Sequence, residues 1–110
     1  FGISHIICSP DCVEIYNPKV VQASMGGVLR VQFITGDLKE LLSQCPKPIV
    51  AATLHGQNVQ EFTFPDSGTL LIGNEARGVD ASLLSQVTAQ VSIPSFGQAE
   101  SLNAAVATGI

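Results

Sequence analysis

The sequence predicts an α/β fold in which a mostly parallel sheet is flanked by helices. Strand-like runs alternate with helix-like segments along the chain, as expected for successive βα units. The strand-like runs are short and continuously apolar, which is typical of parallel strands covered on both faces. The 110 residues, of which 45% are hydrophobic and 13% charged, are enough for one domain with its own core.

Five segments are predicted as strands because each is β-branched or continuously apolar. They are residues 4–9, 28–34, 48–54, 69–72 and 91–94.

The intervening segments carry helix start and stop signals. Asn17 followed by Pro18 is an N-cap with proline at the first helical position, and Gly26 with Gly27 supplies a matching end. Asp37 is the candidate cap of a second helix over residues 36–42. Two further helical segments are predicted at residues 80–87 and 101–107, and a turn at residues 65–68.

The charge balance bears on the class of partner. The chain has five Lys and Arg residues and nine Asp and Glu residues, which gives a net charge of −4 and a pI of about 4.8. This balance argues against a basic nucleic-acid module but leaves open an enzyme that touches nucleic acid through few residues. No apolar run approaches the roughly 18 residues of a membrane span, and no signal-peptide pattern opens the chain. We expect a soluble, cytoplasmic protein without membrane contact.

The cysteines and histidines do not predict a metal site. Cys8, Cys12 and Cys45 are odd in number and lack the spacing of a zinc motif, so they are interpreted as reduced thiols. His5 lies in an apolar run, which favours a core or strand-edge position, and His55 has no acidic partner at ligand spacing.

Three loops that follow predicted strands are the candidate ligand site, because ligands of open α/β sheets bind beyond the carboxyl ends of strands. They span residues 53–56, 73–78 and 93–103. The second loop lacks the Lys-Ser/Thr pair of a P-loop and the spacing of the dinucleotide fingerprint. Its glycines are compatible either with a plain turn or with close approach to a ligand. Glu75 is compatible with a loop brace, and Arg77 with a solvated side chain or a phosphate contact.

The third loop ends at a predicted helix start. Ser101 is the predicted N-cap, which places Asn103 in the first turn. An asparagine amide competes there for backbone hydrogen bonds, so a functional role for Asn103 is one interpretation.

Taken together, three segments resemble the SpoU (TrmH-like) branch of the SPOUT RNA methyltransferases. Residues 17–27, NPKVVQASMGG, resemble the family segment N-P-K-x-x-R-A-S-x-G-A, with Gln22 where many members have a basic residue. Residues 71–78, LIGNEARG, resemble its second motif. Residues 93–107, which include IP and SLNAAVA, resemble its third. The three motifs occur in order and cover nearly the whole chain.

The resemblance implies a fold, an activity and partners. Its fold is an α/β sheet whose C-terminal segment forms a deep trefoil knot, and its members are homodimers. They bind S-adenosylmethionine in the knot and methylate a ribose 2′-hydroxyl of tRNA or rRNA. No metal is implied.

The resemblance also implies site residues. The residues expected to contact the cofactor mainly through backbone groups are Gly73, Ile93 and Leu102. Those expected to line the adenine or ribose side are Thr53, Leu54 and Gly56. The residues expected on the catalytic side are Glu75, which would hold the second loop, and Ser101 and Asn103, which would order the knot loop and place the acceptor.

The resemblance leaves part of the family pattern unmatched. Residues 1–110 are interpreted as a methyltransferase domain without the family's first motif, which carries an Asn and an Arg, and without its final helix. We therefore expect the isolated chain to be inactive or nearly so. The alternative is a SPOUT-like dimer that binds cofactor or RNA without catalysis, which Gln22 and the acidic pI favour slightly. A doubly wound nucleotide-binding domain lacks its phosphate loop here, and a serine hydrolase lacks its G-x-S-x-G elbow.

Overall fold

A computed structural model describes residues 2–97 and 102–110 of the chain. It is an α/β structure, and the strand pairs within the two sheets it describes are all parallel. The predicted parallel pairing is therefore confirmed, with the strands distributed over a two-stranded and a three-stranded sheet. The chain divides into two compact units, residues 1–42 and 43–110, and each has its own sheet.

The first unit contains the two-stranded sheet. Strand β1 (His5–Cys8) pairs with β2 (Gln32–Thr35) so that His5 lies opposite Gln32 and Cys8 opposite Thr35. Between the strands lie α1 (Pro18–Ala23) and a 3₁₀ turn (Gly27–Leu29), and α2 (Leu38–Gln44) follows β2.

The predicted start and end of α1 are confirmed. The Asn17 side chain accepts a hydrogen bond of 2.9 Å from the Lys19 backbone N–H, and Pro18 occupies the first helical position. The chain leaves the helix through Met25 and Gly26, both in the left-handed region with φ of 51° and 77°. Glycine adopts that conformation without the penalty of a Cβ.

The predicted strand over residues 28–34 is only partly correct. Val28 is buried, but it lies in the 3₁₀ turn, and the strand is confined to Gln32–Thr35. The apolar run marks burial, and burial alone does not distinguish a strand from a tight turn.

The second unit is organised around the longest strand, β3 (Ile49–Asn58). Strand β4 (Thr69–Ile72) pairs along one edge of β3 and β5 (Ala89–Ser92) along the other, so the sheet order is β4-β3-β5. The first three residues of β3 are fully buried, as expected for a covered parallel strand. Among the other residues that the structure describes in this unit, the buried apolar side chains are those of Cys45, Leu71, Leu83 and Val91.

Strand β3 is irregular in its second half. Both Ala52 and Gln57 lie opposite Val91 of β5, so residues 53–56 leave the regular register. At the end of this irregular segment, the backbone of Gly56 packs directly on the backbone of β5. A Cβ at Gly56 would lie 2.5 Å from the Gln90 carbonyl carbon, and the Ser92 hydroxyl donates a 2.7 Å hydrogen bond to the Gly56 carbonyl.

Two helical segments complete the second unit. The predicted helix over residues 80–87 is a 3₁₀ helix (Ala81–Gln86), with the Asp80 carboxylate accepting from the Ser82 N–H at 2.8 Å. The last helix is α3 (Ala104–Gly109).

The N-cap of α3 is Asn103, whose side-chain oxygen accepts from the N–H groups of Ala105 and Val106 at 2.9 and 3.4 Å. Its predicted place inside the first turn is therefore wrong, and its amide oxygen satisfies two free N–H groups of the helix. Ser101, the predicted N-cap, lies outside the described residues. Across residues 2–97 and 102–110, no helix has the length and apolar character needed to cross a membrane.

Candidate functional site

A cavity of about 790 Å³ opens within the second unit, where β4, β5 and the regular part of β3 end. Because the three strands are parallel, the loops that leave them meet at the same edge of the sheet. Helix α3 supplies a further wall. The volume falls in the range of roughly 300–1,000 Å³ that is usual for sites of small molecules and cofactors.

The structure brings together most of the residues predicted from the sequence. The predicted residues that line the cavity are Thr53, Leu54, Gly73, Glu75, Ile93 and Leu102. Two others, Gly56 and Asn103, are not among the lining residues. Gly56 contacts the backbone of β5, and Asn103 lies at the start of α3.

Other lining residues were missed by the sequence reasoning. Phe64 lies between β3 and β4, outside the three loops that follow strands, and its ring packs edge-to-face on Phe62 with centroids 4.9 Å apart. Ala104, Ala107 and Thr108 contribute one face of α3. Their spacing of three and four residues is the signal that could have identified a helix face.

The second loop is a closed turn. Asn74 and Gly78 exchange backbone hydrogen bonds of 3.0 and 2.7 Å, and the Asn74 side chain accepts from the N–H groups of Ala76 and Arg77. Gly73 packs directly on the end of this turn, since a Cβ there would lie 2.2 Å from the Gly78 carbonyl carbon. The turn interpretation is thus confirmed, and the absence of a side chain at Gly73 is explained by contact between two stretches of backbone.

A hydrogen bond connects this turn to α3. The Asn103 side-chain amide donates to the Glu75 carboxylate at 3.3 Å, while its oxygen caps the helix. One side chain therefore fixes both the helix start and the acidic residue on the cavity wall.

Replacing Asn103 with alanine is expected to lower the free energy of unfolding by about 1 kcal/mol, because the cap is lost. Asn103→Asp retains an oxygen that can cap α3 but loses the donor to Glu75, so we expect a smaller loss of stability. Urea denaturation of both variants measures the difference. Equal stability of wild type and Asn103→Ala would contradict the cap.

Thr53, one of the lining residues, carries an unsatisfied polar group. Its hydroxyl oxygen is buried and has no hydrogen-bond partner among the described residues. Leaving such a group unpaired costs about 1–3 kcal/mol, so a polar partner at this position would be stabilising.

No metal site is formed by the described residues, 2–97 and 102–110. Among them, no group of three His, Cys, Asp or Glu side chains is placed so that it could hold a metal ion.

Comparison with known proteins identifies relatives along the full chain. Residues 1–110 match the family model described as the SpoU rRNA Methylase family. The 23S rRNA (guanosine(2553)-2'-O)-methyltransferase RlmP of Bacillus subtilis is 31% identical, and the alignment covers 99% of this chain but 46% of that protein.

Comparison with solved structures also identifies RNA methyltransferases. The SpoU methyltransferase AviRb from Streptomyces viridochromogenes, crystallised with AdoMet, superposes with a TM-score of 0.85 at 30% identity over 96% of this chain and 46% of its own. An AdoMet-bound rRNA methyltransferase from Sinorhizobium meliloti superposes with a TM-score of 0.84 at 29% identity, covering 98% and 43%. The chain therefore spans less than half the length of these relatives.

Proposed function

The chain belongs to the SpoU rRNA methylase family, and from that premise we propose that the protein containing it transfers a methyl group from S-adenosylmethionine to a ribose 2′-hydroxyl of tRNA or rRNA. The observation that carries the proposal is the cavity at the strand ends, whose walls are built from the second and third family motifs and the loop after Ala52. Relatives that bind AdoMet or methylate rRNA at the 2′-oxygen share the fold over nearly the whole chain.

The cavity suits S-adenosylmethionine chemically. That molecule has a flat purine, a ribose, a sulfonium cation and an amino-acid tail. The apolar part of the wall suits the purine and the methylene groups, and it includes Leu54, Val59, Phe64, Leu70, Ile72, Ile93 and Leu102. Glu75 supplies negative charge on the wall of a site for a cation.

We assign the cofactor contacts to two sides of the cavity. Thr53 and Leu54 form one side and Ile93 and Leu102 the other, with the backbone of Gly73 between the loops. Gly56 acts outside the cavity. By allowing close contact with β5, it holds the excursion that carries Thr53 and Leu54 to the cavity wall.

The chemistry divides between the cofactor and the protein. The bound cofactor supplies an electrophilic methyl group on its sulfonium. The protein's residues orient the groups that react and exclude water, and positioning alone contributes several kcal/mol to such a transfer. We propose that the hydrogen bond between Glu75 and Asn103 fixes the position of the second loop relative to α3, on the side of the cavity where the RNA acceptor binds. Ser101 is proposed to act beside them, on the basis of the family motif.

The trefoil knot and the homodimer are also proposed for the whole protein. In support of the knot, α3 lines the same cavity as the loops after β3, β4 and β5, which a C-terminal segment threaded through those loops would do. In support of a dimer, the apolar side chain of Val106 on α3 is more than half exposed.

The activity is tested with the intact protein, methyl-labelled S-adenosylmethionine, and bulk tRNA and rRNA as acceptors. Nuclease digestion then identifies the modified nucleoside, and we expect a 2′-O-methyl ribose. Folded protein that binds the cofactor but methylates neither RNA would overturn the proposal. That result would favour the non-catalytic binding module. Gln22, which replaces a basic residue found in many family members, is consistent with that alternative.

The positioning role of Glu75 is tested in the same assay. Glu75→Gln weakens the hydrogen bond to Asn103, and we expect a loss of methyl transfer of about 10- to 100-fold, because small misplacements cost that much. Glu61→Gln is the matched control, since Glu61 is exposed and does not line the cavity. Equal losses in both variants, or none in Glu75→Gln, would contradict the assignment.

A further inference from the structure

Two cysteines lie in and beside the turn that follows β1, in the first unit. Cys8 ends the strand, and the Cys12 N–H returns to the Ser9 carbonyl at 3.1 Å. The Cys12 sulfur lies 3.4 Å from the Ser9 hydroxyl. Both cysteines line a small cavity of about 80 Å³, together with Thr35 of β2.

The two thiols differ in accessibility. Cys12 is exposed, whereas Cys8 is partly buried. Burial, and then the neighbouring Cys12 thiol, raises the pKa of the Cys8 thiol, so Cys8 is kept protonated near neutral pH. A reagent in solution therefore reaches Cys12 first, and Cys8 is the thiol next to it.

We propose that Cys12 is a thiol–disulfide exchange site for low-molecular-weight disulfides and that Cys8 is its resolving thiol. Because the turn places both cysteines in the lining of one small cavity, the second step needs little rearrangement of the chain.

The exchange balances in two steps when glutathione disulfide is the oxidant. The Cys12 thiolate attacks one sulfur of glutathione disulfide, forms a mixed disulfide and releases one glutathione thiolate, which takes up a proton. Cys8 then loses its proton to solvent and attacks the Cys12 sulfur, and the second glutathione leaves. Two protein thiols are oxidised to a disulfide, and one glutathione disulfide is reduced to two glutathione molecules.

The intact protein tests this with glutathione disulfide as the probe. Native protein is exposed to it, remaining thiols are alkylated, and peptides are mapped by mass spectrometry. Wild type is expected to gain a Cys8–Cys12 disulfide, and Cys8→Ser to accumulate glutathione on Cys12. Cys12→Ser should leave Cys8 at least about 10-fold slower to react, because the accessible thiol is gone. Cys8→Ala repeats the Cys8 test in case the serine variant folds poorly.

Cys45→Ser is the matched control, because Cys45 is buried in the other unit. It should form the Cys8–Cys12 disulfide at the wild-type rate. Three results would overturn the proposal: wild type without that disulfide, Cys8→Ser and Cys8→Ala without an adduct on Cys12, or Cys12→Ser with an unchanged rate at Cys8.

Discussion

Gly73→Ala is expected to destabilise the protein by about 3 kcal/mol or more, the largest effect of any single methyl group in the candidate site. The new Cβ would lie 2.2–2.5 Å from the carbonyl group of Gly78 and the nitrogen of Val79. These are backbone atoms of a turn closed by two hydrogen bonds between Asn74 and Gly78, so they cannot move aside as a flexible side chain could. Chemical denaturation measures the loss as a lower midpoint.

Gly97→Ala is the matched control for this prediction. Gly97 also lines the cavity, but a Cβ there meets no atom within 4 Å. We expect its stability to stay within about 0.5 kcal/mol of wild type, as for other surface substitutions. Equal stability of Gly73→Ala and wild type would contradict the close packing of Gly73 on the turn. It follows that a larger residue at Gly73 is a poor probe of ligand binding, because folding fails first.

Ala107→Phe is expected to weaken binding of S-adenosylmethionine about 100-fold or more. Ala107 faces the cavity from α3, and a phenyl ring there occupies volume that the ligand needs. Ala105→Phe places the same ring on the same helix, but Ala105 is exposed and does not line the cavity. The two variants carry the same helix-propensity cost, so their difference isolates the cavity.

Calorimetric titration of both variants measures this difference. We expect Ala105→Phe to bind within about threefold of wild type, which corresponds to less than 1 kcal/mol. If both variants bind like wild type, the ligand occupies another part of the protein. If both lose binding while remaining folded, the effect belongs to the helix and not to the cavity.

The elements best predicted from the sequence are those fixed by neighbouring residues. Strand β4 has the predicted bounds of residues 69–72, and the Asn17 cap with Pro18 begins α1 as predicted. Strand β3 was predicted to end at residue 54 but continues to Asn58, because pairing with β5 resumes after the excursion. That resumption depends on contact with Gln90 and Val91, which no local pattern encodes.

The start of α3 shows a second limit of local reasoning. Serine and asparagine are both favoured N-caps, but the sequence analysis predicts the cap at Ser101 and places Asn103 inside the first turn. The structure begins the helix at Ala104, two residues later than an N-cap at Ser101 would place it. This shift changes the role of Asn103 from an unfavourable residue inside the helix to its cap.

The position of the candidate site was largely predictable, but its internal contacts were not. Parallel strands bring their following loops together, and for that reason the loops containing Thr53, Gly73 and Ile93 line one cavity. The hydrogen bond between Glu75 and Asn103 joins residues 28 positions apart and depends on how α3 packs. Phe64 belongs to no motif and reaches the cavity only through tertiary packing.

Calorimetric titration of S-adenosylmethionine into the intact wild-type protein tests the central claim most directly. We expect saturable binding of about one cofactor per chain, which Ala107→Phe weakens about 100-fold or more and Ala105→Phe preserves. A folded protein that takes up no S-adenosylmethionine would contradict the assignment of the cavity at the ends of β3, β4 and β5 as the cofactor site.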